Sequence, residues 1–242
     1  MTRKPVSATP VPSPSERLRR MHDDLLLAYG PQSWWPAETA FEVILGAYLT
    51  QNTAWKSVRR SLENLRQAGA LTIDGVRAIT LADLQALIRP SGFHTRKAPS
   101  IKAFIDMLDS EFAGSLEVLR AVPTGALRER LLRLPGVGPE TADAILLYAL
   151  EHPVPVVDEY LRRIAARHRL LEPLPGRKGY ESLATLARQA FGSDPSATHA
   201  QQFNELHALV VAVGKMHCGR TPNCTGCPLA GDLRFATPPS RP

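Results

Sequence analysis

The sequence predicts an all-α protein of two helical lobes with an interlobe cleft, and three observations carry that prediction. Apolar residues recur at helical spacing along most of the chain. No alternating apolar–polar run of strand length is present. The helical runs are joined by short connections with recognisable start and stop residues, an arrangement that buries one stripe of each helix against its neighbours.

The elements follow in order. Ser13-Pro14-Ser15-Glu16 opens the first helix, with Ser13 as N-cap, Pro14 in the first turn and Glu16 closing a capping box. That helix runs to Tyr29 and stops at Gly30-Pro31. Residues 38–50 are almost wholly apolar (Phe41, Val43, Ile44, Leu45, Tyr48, Leu49), as in a helix buried on most sides. Residues 55–67 are amphipathic, with Val58, Leu62 and Leu65 inward and Lys56, Arg59, Arg60 and Arg66 outward. Short helices at 72–78 and 81–88 end at Pro90-Ser91-Gly92. A helix over 95–111 carries Ile101, Phe104, Ile105 and Leu108 on one face. Helices at 124–133, 139–150, 158–169, 178–191 and 198–217 complete the set. The expected domains are a disordered tail at 1–12, a terminal-helix lobe of 13–37 plus 152–217, a helical lobe of 38–151, a cysteine loop at 218–234 and a second tail at 235–242.

The net charge is +6, and 23 of the 29 basic residues are arginine. A basic surplus suits a polyanion, although a plain basic enzyme carries the same number. No run of about 18 apolar residues exists, so no membrane span is expected. The N-terminal dozen residues lack an apolar segment and read as a tail, not a signal peptide. Three cysteines are too few and too close for a disulfide framework, which predicts a reducing, cytoplasmic setting.

Leu134-Pro135-Gly136-Val137-Gly138-Pro139-Glu140-Thr141-Ala142 joins two helical runs, and Asp158 opens the next helix after Val156-Val157. Gly136 and Gly138 permit positive φ and close approach of another backbone, and the helix start beyond them offers N–H groups to an anion. Taken alone, such a turn is also an ordinary helix–helix connection, and Asp158 an ordinary N-cap.

The hairpin string resembles that of the helix-hairpin-helix DNA glycosylases, the endonuclease III superfamily. The resemblance implies that backbone amides of Gly136, Val137 and Gly138, with Thr141, hold DNA phosphates. It implies that Asp158 is the catalytic carboxylate, stabilising positive charge on the deoxyribose or activating water. Glu159, pointing elsewhere on the helix, ranks below it. Bifunctional members carry a lysine where this chain has Glu140, so hydrolytic base release without lyase activity is expected.

Trp34-Trp35-Pro36, Leu49-Thr50-Gln51-Asn52-Thr53 with Trp55, and Arg89-Pro90-Ser91-Gly92-Phe93 look like the 3-methyladenine DNA glycosylase III branch. The similarity spans roughly residues 30–216. It implies a base pocket of Trp34, Trp35, Pro36, Trp55, Glu140 and Lys215, and a gap-filling role for Gln51. Any single tryptophan is as readily a core or lid aromatic. As a set, electron-rich rings favour cationic alkylated purines. The expected partner is double-stranded DNA containing a damaged base, met by a monomer near the nucleoid.

Cys218, Cys224 and Cys227 have metal-ligand spacing. Endonuclease III relatives hold a [4Fe–4S] cluster in a similar loop with four cysteines. Here the first gap is one shorter and the fourth position falls at Asp232, so a cluster with a non-cysteine ligand is expected. Zinc with His217 or a carboxylate, or no metal, are the alternatives. His22, His94, His152, His168, His199 and His207 show no ligand-like grouping. Two other functions remain open at this point: an endonuclease III-like glycosylase for oxidised pyrimidines or mismatched uracil and thymine, and a non-catalytic damage sensor.

Overall fold

The computed structural model describes residues 11–32, 34, 37–192 and 197–236, and every regular element among them is helical. Of the expected tails at 1–12 and 235–242, residues 1–10 and 237–242 lie outside the described residues, and Phe235 closes a 3-10 turn. No helix among the described residues is long and apolar enough to cross a membrane. The chain divides into two compact units, one of residues 1–32, 157–192 and 206–242, the other of 33–156 and 193–205.

The second unit contains α2 (Ala40–Thr50), α3 (Trp55–Gln67), α4 (Ile73–Ala78), α5 (Leu81–Leu87) and a 3-10 turn at Arg89–Ser91. It continues through α6 (His94–Phe112), α7 (Leu116–Arg120), α8 (Thr124–Arg133), α9 (Pro139–Ala144) and a π-helical turn at Ile145–Ala149. Thr39 caps α2, accepting from the Glu42 N–H at 3.1 Å. As its composition predicts, α2 is buried from Phe41 to Leu49. It packs against α3, α6 and the π-helical turn, with Tyr48 edge-on to Phe104 at 6.3 Å. Val58, Leu62 and Leu65 of α3 and Ile101, Phe104 and Leu108 of α6 complete that core.

The first unit contains α1 (Pro14–Tyr29), α10 (Glu159–Arg167), α11 (Gly176–Phe191) and a 3-10 turn at Ala230–Phe235. The last helix, α12 (Ala197–Met216), contributes residues to both units. The capping box of α1 forms as its sequence predicts, Ser13 Oγ accepting from Glu16 N–H and Glu16 Oε2 accepting from Ser13 N–H at 2.7 Å. Helix α1 lies along α11, where Arg19 donates to the Ala190 carbonyl at 2.8 Å and His22 meets Phe191 edge-on. Helix α7, a turn and a half capped by Ser115, is absent from the expected elements.

Candidate functional site

The turn between α8 and α9 is held from both sides. Leu127 and Leu131 bury the inner face of α8, and Thr141, Ala142 and Asp143 bury that of α9. Arg128 grips the Asp143 carboxylate with two donors, at 2.6 and 2.9 Å. The two glycines have different reasons. Gly136 has φ +75°, and a Cβ there would stand 2.6 Å from Ser100 Oγ, so the fold itself requires glycine. Gly138 has φ −94° and open space where a Cβ would go. Nothing among the described residues needs that position bare, which leaves it open to an outside backbone. Glu140 is exposed on the first turn of α9.

The Gln51 side chain reaches this turn. Its Nε2 donates to the Gly136 carbonyl and to Thr141 Oγ1, both at 2.9 Å. The structure thus brings together three of the residues singled out for DNA contact. Behind Gln51, Lys97 on α6 is buried and donates to the Leu49 carbonyl (2.7 Å), Thr53 Oγ1 (2.8 Å) and the Ser91 carbonyl (2.9 Å). Burial pushes its ammonium down to about 8. Thr53 Oγ1 in turn donates to the Ser91 carbonyl at 2.6 Å. Beside Ser91 stands Phe93, 57% exposed with φ +45°. Lys97 and Phe93 were not among the predicted site residues. The signal available was the large aromatic after Ser91-Gly92 and a lysine one turn into an otherwise apolar helix face.

Trp34 and Trp55 are both half-buried in the second unit, whereas Trp35 and Pro36 lie outside the described residues. Trp55 opens α3 and lines a groove of about 500 Å³ with Lys56, Arg59, Arg60 and Arg66.

In the first unit, Asp158 is the N-cap of α10. Its Oδ1 accepts from the Leu161 N–H at 2.8 Å, and its Oδ2 faces His207 Nε2 at 3.7 Å. Asp158 is 7% exposed, and Val157 before it is buried. The cap reading and the carboxylate reading therefore use different oxygens of one side chain. Glu159 points outward and pairs with Arg163. Helix α12 runs against the start of α10: a Cβ on Gly214 would stand 2.2 Å from Tyr160 Cδ1. That close approach explains the glycine of the Gly214-Lys215 pair, and Lys215 is exposed in the last turn of α12. His207 carried no expectation, because it lies 49 positions beyond Asp158 and neither sequence neighbourhood marks the contact.

The cysteine segment departs from expectation. Cys218 is buried and its Sγ lies 3.0 Å from Arg167 Nη1, Cys224 is exposed, and Cys227 is half-buried with its thiol pushed up by burial. His217 Nδ1 sits against the Asn223 carbonyl. Asp232, the expected fourth ligand, is committed elsewhere. Arg17 donates to its Oδ1 at 2.9 Å and its Oδ2 at 2.5 Å, and His168 Nδ1 lies 2.9 Å from Oδ2. Burial alone would raise this carboxyl, but the hydrogen bonds from His168 and Arg17 and the charge of Arg17 outweigh it and hold the group below the usual carboxylate range. No group of three or more His, Cys, Asp or Glu among the described residues is disposed to hold a metal ion. Tied to Arg17 and His168, Asp232 does not fit the role of fourth ligand in the expected cluster.

Comparison with known proteins identifies the relatives of this chain. A sequence model described as HhH-GPD superfamily base excision DNA repair protein matches residues 45–189. A putative DNA repair glycosylase of Methanocaldococcus jannaschii is 35% identical over 215 residues, covering 88% of this chain and 94% of the relative. Endonuclease III of Bacillus subtilis is 28% identical over 190 residues, covering 78% of each. Among solved structures, Helicobacter pylori 3-methyladenine DNA glycosylase (MagIII) bound to 1,N6-ethenoadenine superposes with a TM-score of 0.71 at 30% identity, over 85% of this chain and 98% of that one. An endonuclease III–DNA complex superposes with a TM-score of 0.75 over 91% and 95% of the two chains, and at 21% identity it speaks to the fold alone.

Proposed function

The chain belongs to the HhH-GPD superfamily of base excision DNA repair proteins and has the family's DNA glycosylase fold; from that premise we propose that it hydrolyses the N-glycosidic bond of an alkylated purine in double-stranded DNA, without cutting the strand. The observation that carries the reading is the Asp158 carboxylate. It is buried, fixed through Oδ1 at the start of α10, and its second oxygen remains outside the cap.

The chemistry follows from that placement. As the glycosidic bond breaks, its electron pair leaves on the base and positive charge grows on the sugar. A carboxylate fixed in advance stabilises that charge without having to reorganise. Water then bonds to the sugar carbon and passes its proton to Asp158. A purine alkylated on N3 or N7 is already cationic, so it leaves as a neutral base. The half-buried rings of Trp34 and Trp55 suit such a base through cation–π attraction, worth about 0.5–2 kcal/mol. The 3-methyladenine glycosylase among the similar structures supports this substrate class.

Strand contact falls to the hairpin and the loops beside it. Gly138 offers an open approach to a phosphate, Gln51 would leave its bonds to Gly136 and Thr141 to fill the gap left by an extruded nucleotide, and exposed Phe93 has the character of an apolar wedge. Glu140 places a carboxylate, not an amine, on the hairpin, which supports hydrolysis over Schiff-base chemistry.

Released-base analysis on methylated duplex tests the proposal, with wild type and Asp158→Asn run in parallel and alkali added to reveal abasic sites. Release of 3-methyladenine by wild type alone supports it. Release only from thymine-glycol or mismatched duplexes would move the substrate to the endonuclease III-like class, and equal behaviour of the two proteins would leave a damage sensor.

A further inference from the structure

We infer that Lys97 is a positioning residue that joins the Gln51 loop and the Phe93 loop into one rigid DNA-probing edge. This rests on the glycosylase reading above. The proposal starts from an unusual burial. Lys97 is 3% exposed, and no carboxylate pairs with it among the described residues. All three ammonium donors go instead to neutral oxygens, the Leu49 carbonyl, Thr53 Oγ1 and the Ser91 carbonyl. An ammonium taken from water without a counterion is costly, so the three oxygens must be held where they are needed.

The identity of those oxygens gives the arrangement its meaning. Leu49 lies in the last turn of α2, where carbonyls have no helical partner and the helix dipole favours a cation. Thr53 lies on the far side of Gln51, so the loop carrying Gln51 is gripped at both ends. Ser91 lies two residues before Phe93, and Ser91 Oγ also donates to Ser61 Oγ on α3 at 2.7 Å. The Leu49 side chain belongs to the core, but its carbonyl closes α2 two residues before Gln51, while Thr53 adjoins exposed Asn52 and Ser91 lies two residues before exposed Phe93.

Backbone strain points the same way. Asn52 and Phe93 are both left-handed, with φ of +49° and +45°. Non-glycine residues keep such conformations only where their surroundings over-determine them. Here one strained residue sits on each loop, each within two positions of an oxygen bound to Lys97. The Gln51 side chain extends the assembly to Gly136 and Thr141, so three DNA-facing segments share one anchor.

The test uses Lys97→Met, which keeps the length and removes the donors, and Lys97→Arg, which keeps the charge and donors. The probes are an intact duplex and the same duplex with a tetrahydrofuran abasic-site analogue. Lys97→Met is expected to lose about tenfold in its preference for the abasic duplex while intact-duplex affinity, set by phosphate contacts, moves less than about twofold. Lys97→Arg is expected to recover most of the preference. Combining Lys97→Met with Gln51→Ala should give less than the product of the two losses. If Lys97→Met fails to fold, Thr53→Val removes one of the three bonds and is expected to reduce the preference alone. Equal losses on both duplexes, or an unchanged preference in a folded variant, would overturn the proposal. A wild type without any abasic preference would sink the glycosylase reading instead. Hydrogen exchange would then still judge Lys97, since Lys97→Met must speed exchange at 50–54 and 89–93 together.

Discussion

Asp158 and His207 face each other across α10 and α12, carboxylate Oδ2 to imidazole Nε2 at 3.7 Å, while the other carboxylate oxygen caps α10. Asparagine caps a helix about as well as aspartate. Asp158→Asn should therefore leave the thermal midpoint nearly unchanged and lower base release by about a hundred- to a thousandfold, the cost of losing one preorganised electrostatic group. Single-turnover rates beside a melting curve separate the two effects. A variant that releases base at the wild-type rate would return Asp158 to the status of a cap.

The Arg17–Asp232 pair carries a prediction about the C-terminal segment. The side chains are 5% and 9% exposed, and Arg17 also donates to the His168 carbonyl at 2.7 Å. Asp232→Ala leaves a guanidinium buried without its partner, which should lower stability by about 3–5 kcal/mol. Urea unfolding with an unchanged slope reads the loss. Stability within experimental error of wild type would mean that the carboxylate is not committed to Arg17.

Most of the fold was legible in the sequence because its signals are local. Ser13 and Glu16 lie three residues apart, and the capping box they form is satisfied within one turn. The apolar run of α2 and the stripe of α3 needed only periodicity. Helix α7 escaped because five residues are too few to show a period. The hairpin and the Asp158 cap were legible for the same local reason. The unseen parts join distant positions: His207 to Asp158, Lys97 to Leu49 and Ser91, Arg17 to Asp232. Asp232 shows the risk of spacing alone, since its interval from Cys227 suggested a ligand while its contacts lie with α1 and the end of α10.

His152 gives stability a pH dependence. It is buried, its Nδ1 lies 2.9 Å from Thr124 Oγ1, and its Nε2 lies 3.1 Å from the Arg120 carbonyl. A carbonyl only accepts, so Nε2 carries the proton and Nδ1 accepts from Thr124. Burial is the main cause holding its pKa below the ordinary 6.5. The unfolded chain then binds the proton first as pH falls, so stability is full above about pH 6.5 and declines below it. Urea midpoints from about pH 7 to 5 should fall more steeply for wild type than for His152→Gln. Parallel slopes would remove His152 as the cause.

In the proposed hydrolytic reading, Glu140 is the residue that sets hydrolysis apart from strand cleavage, and a single exchange tests it. The residue is exposed on the first turn of α9. The wild-type hairpin, residues 124–150, holds no lysine. Without an amine the opened sugar cannot be captured as an imine, so borohydride should trap no adduct and strand breaks should appear only after alkali. Glu140→Lys places a primary amine there, and attack on the sugar would expel the base, form the imine and permit elimination of the 3′ phosphate. Borohydride is then expected to yield a covalent protein–DNA adduct, lost again when Asp158→Asn is added. An adduct already present in wild type would overturn the hydrolytic reading, because it would require an amine outside the hairpin to reach the sugar.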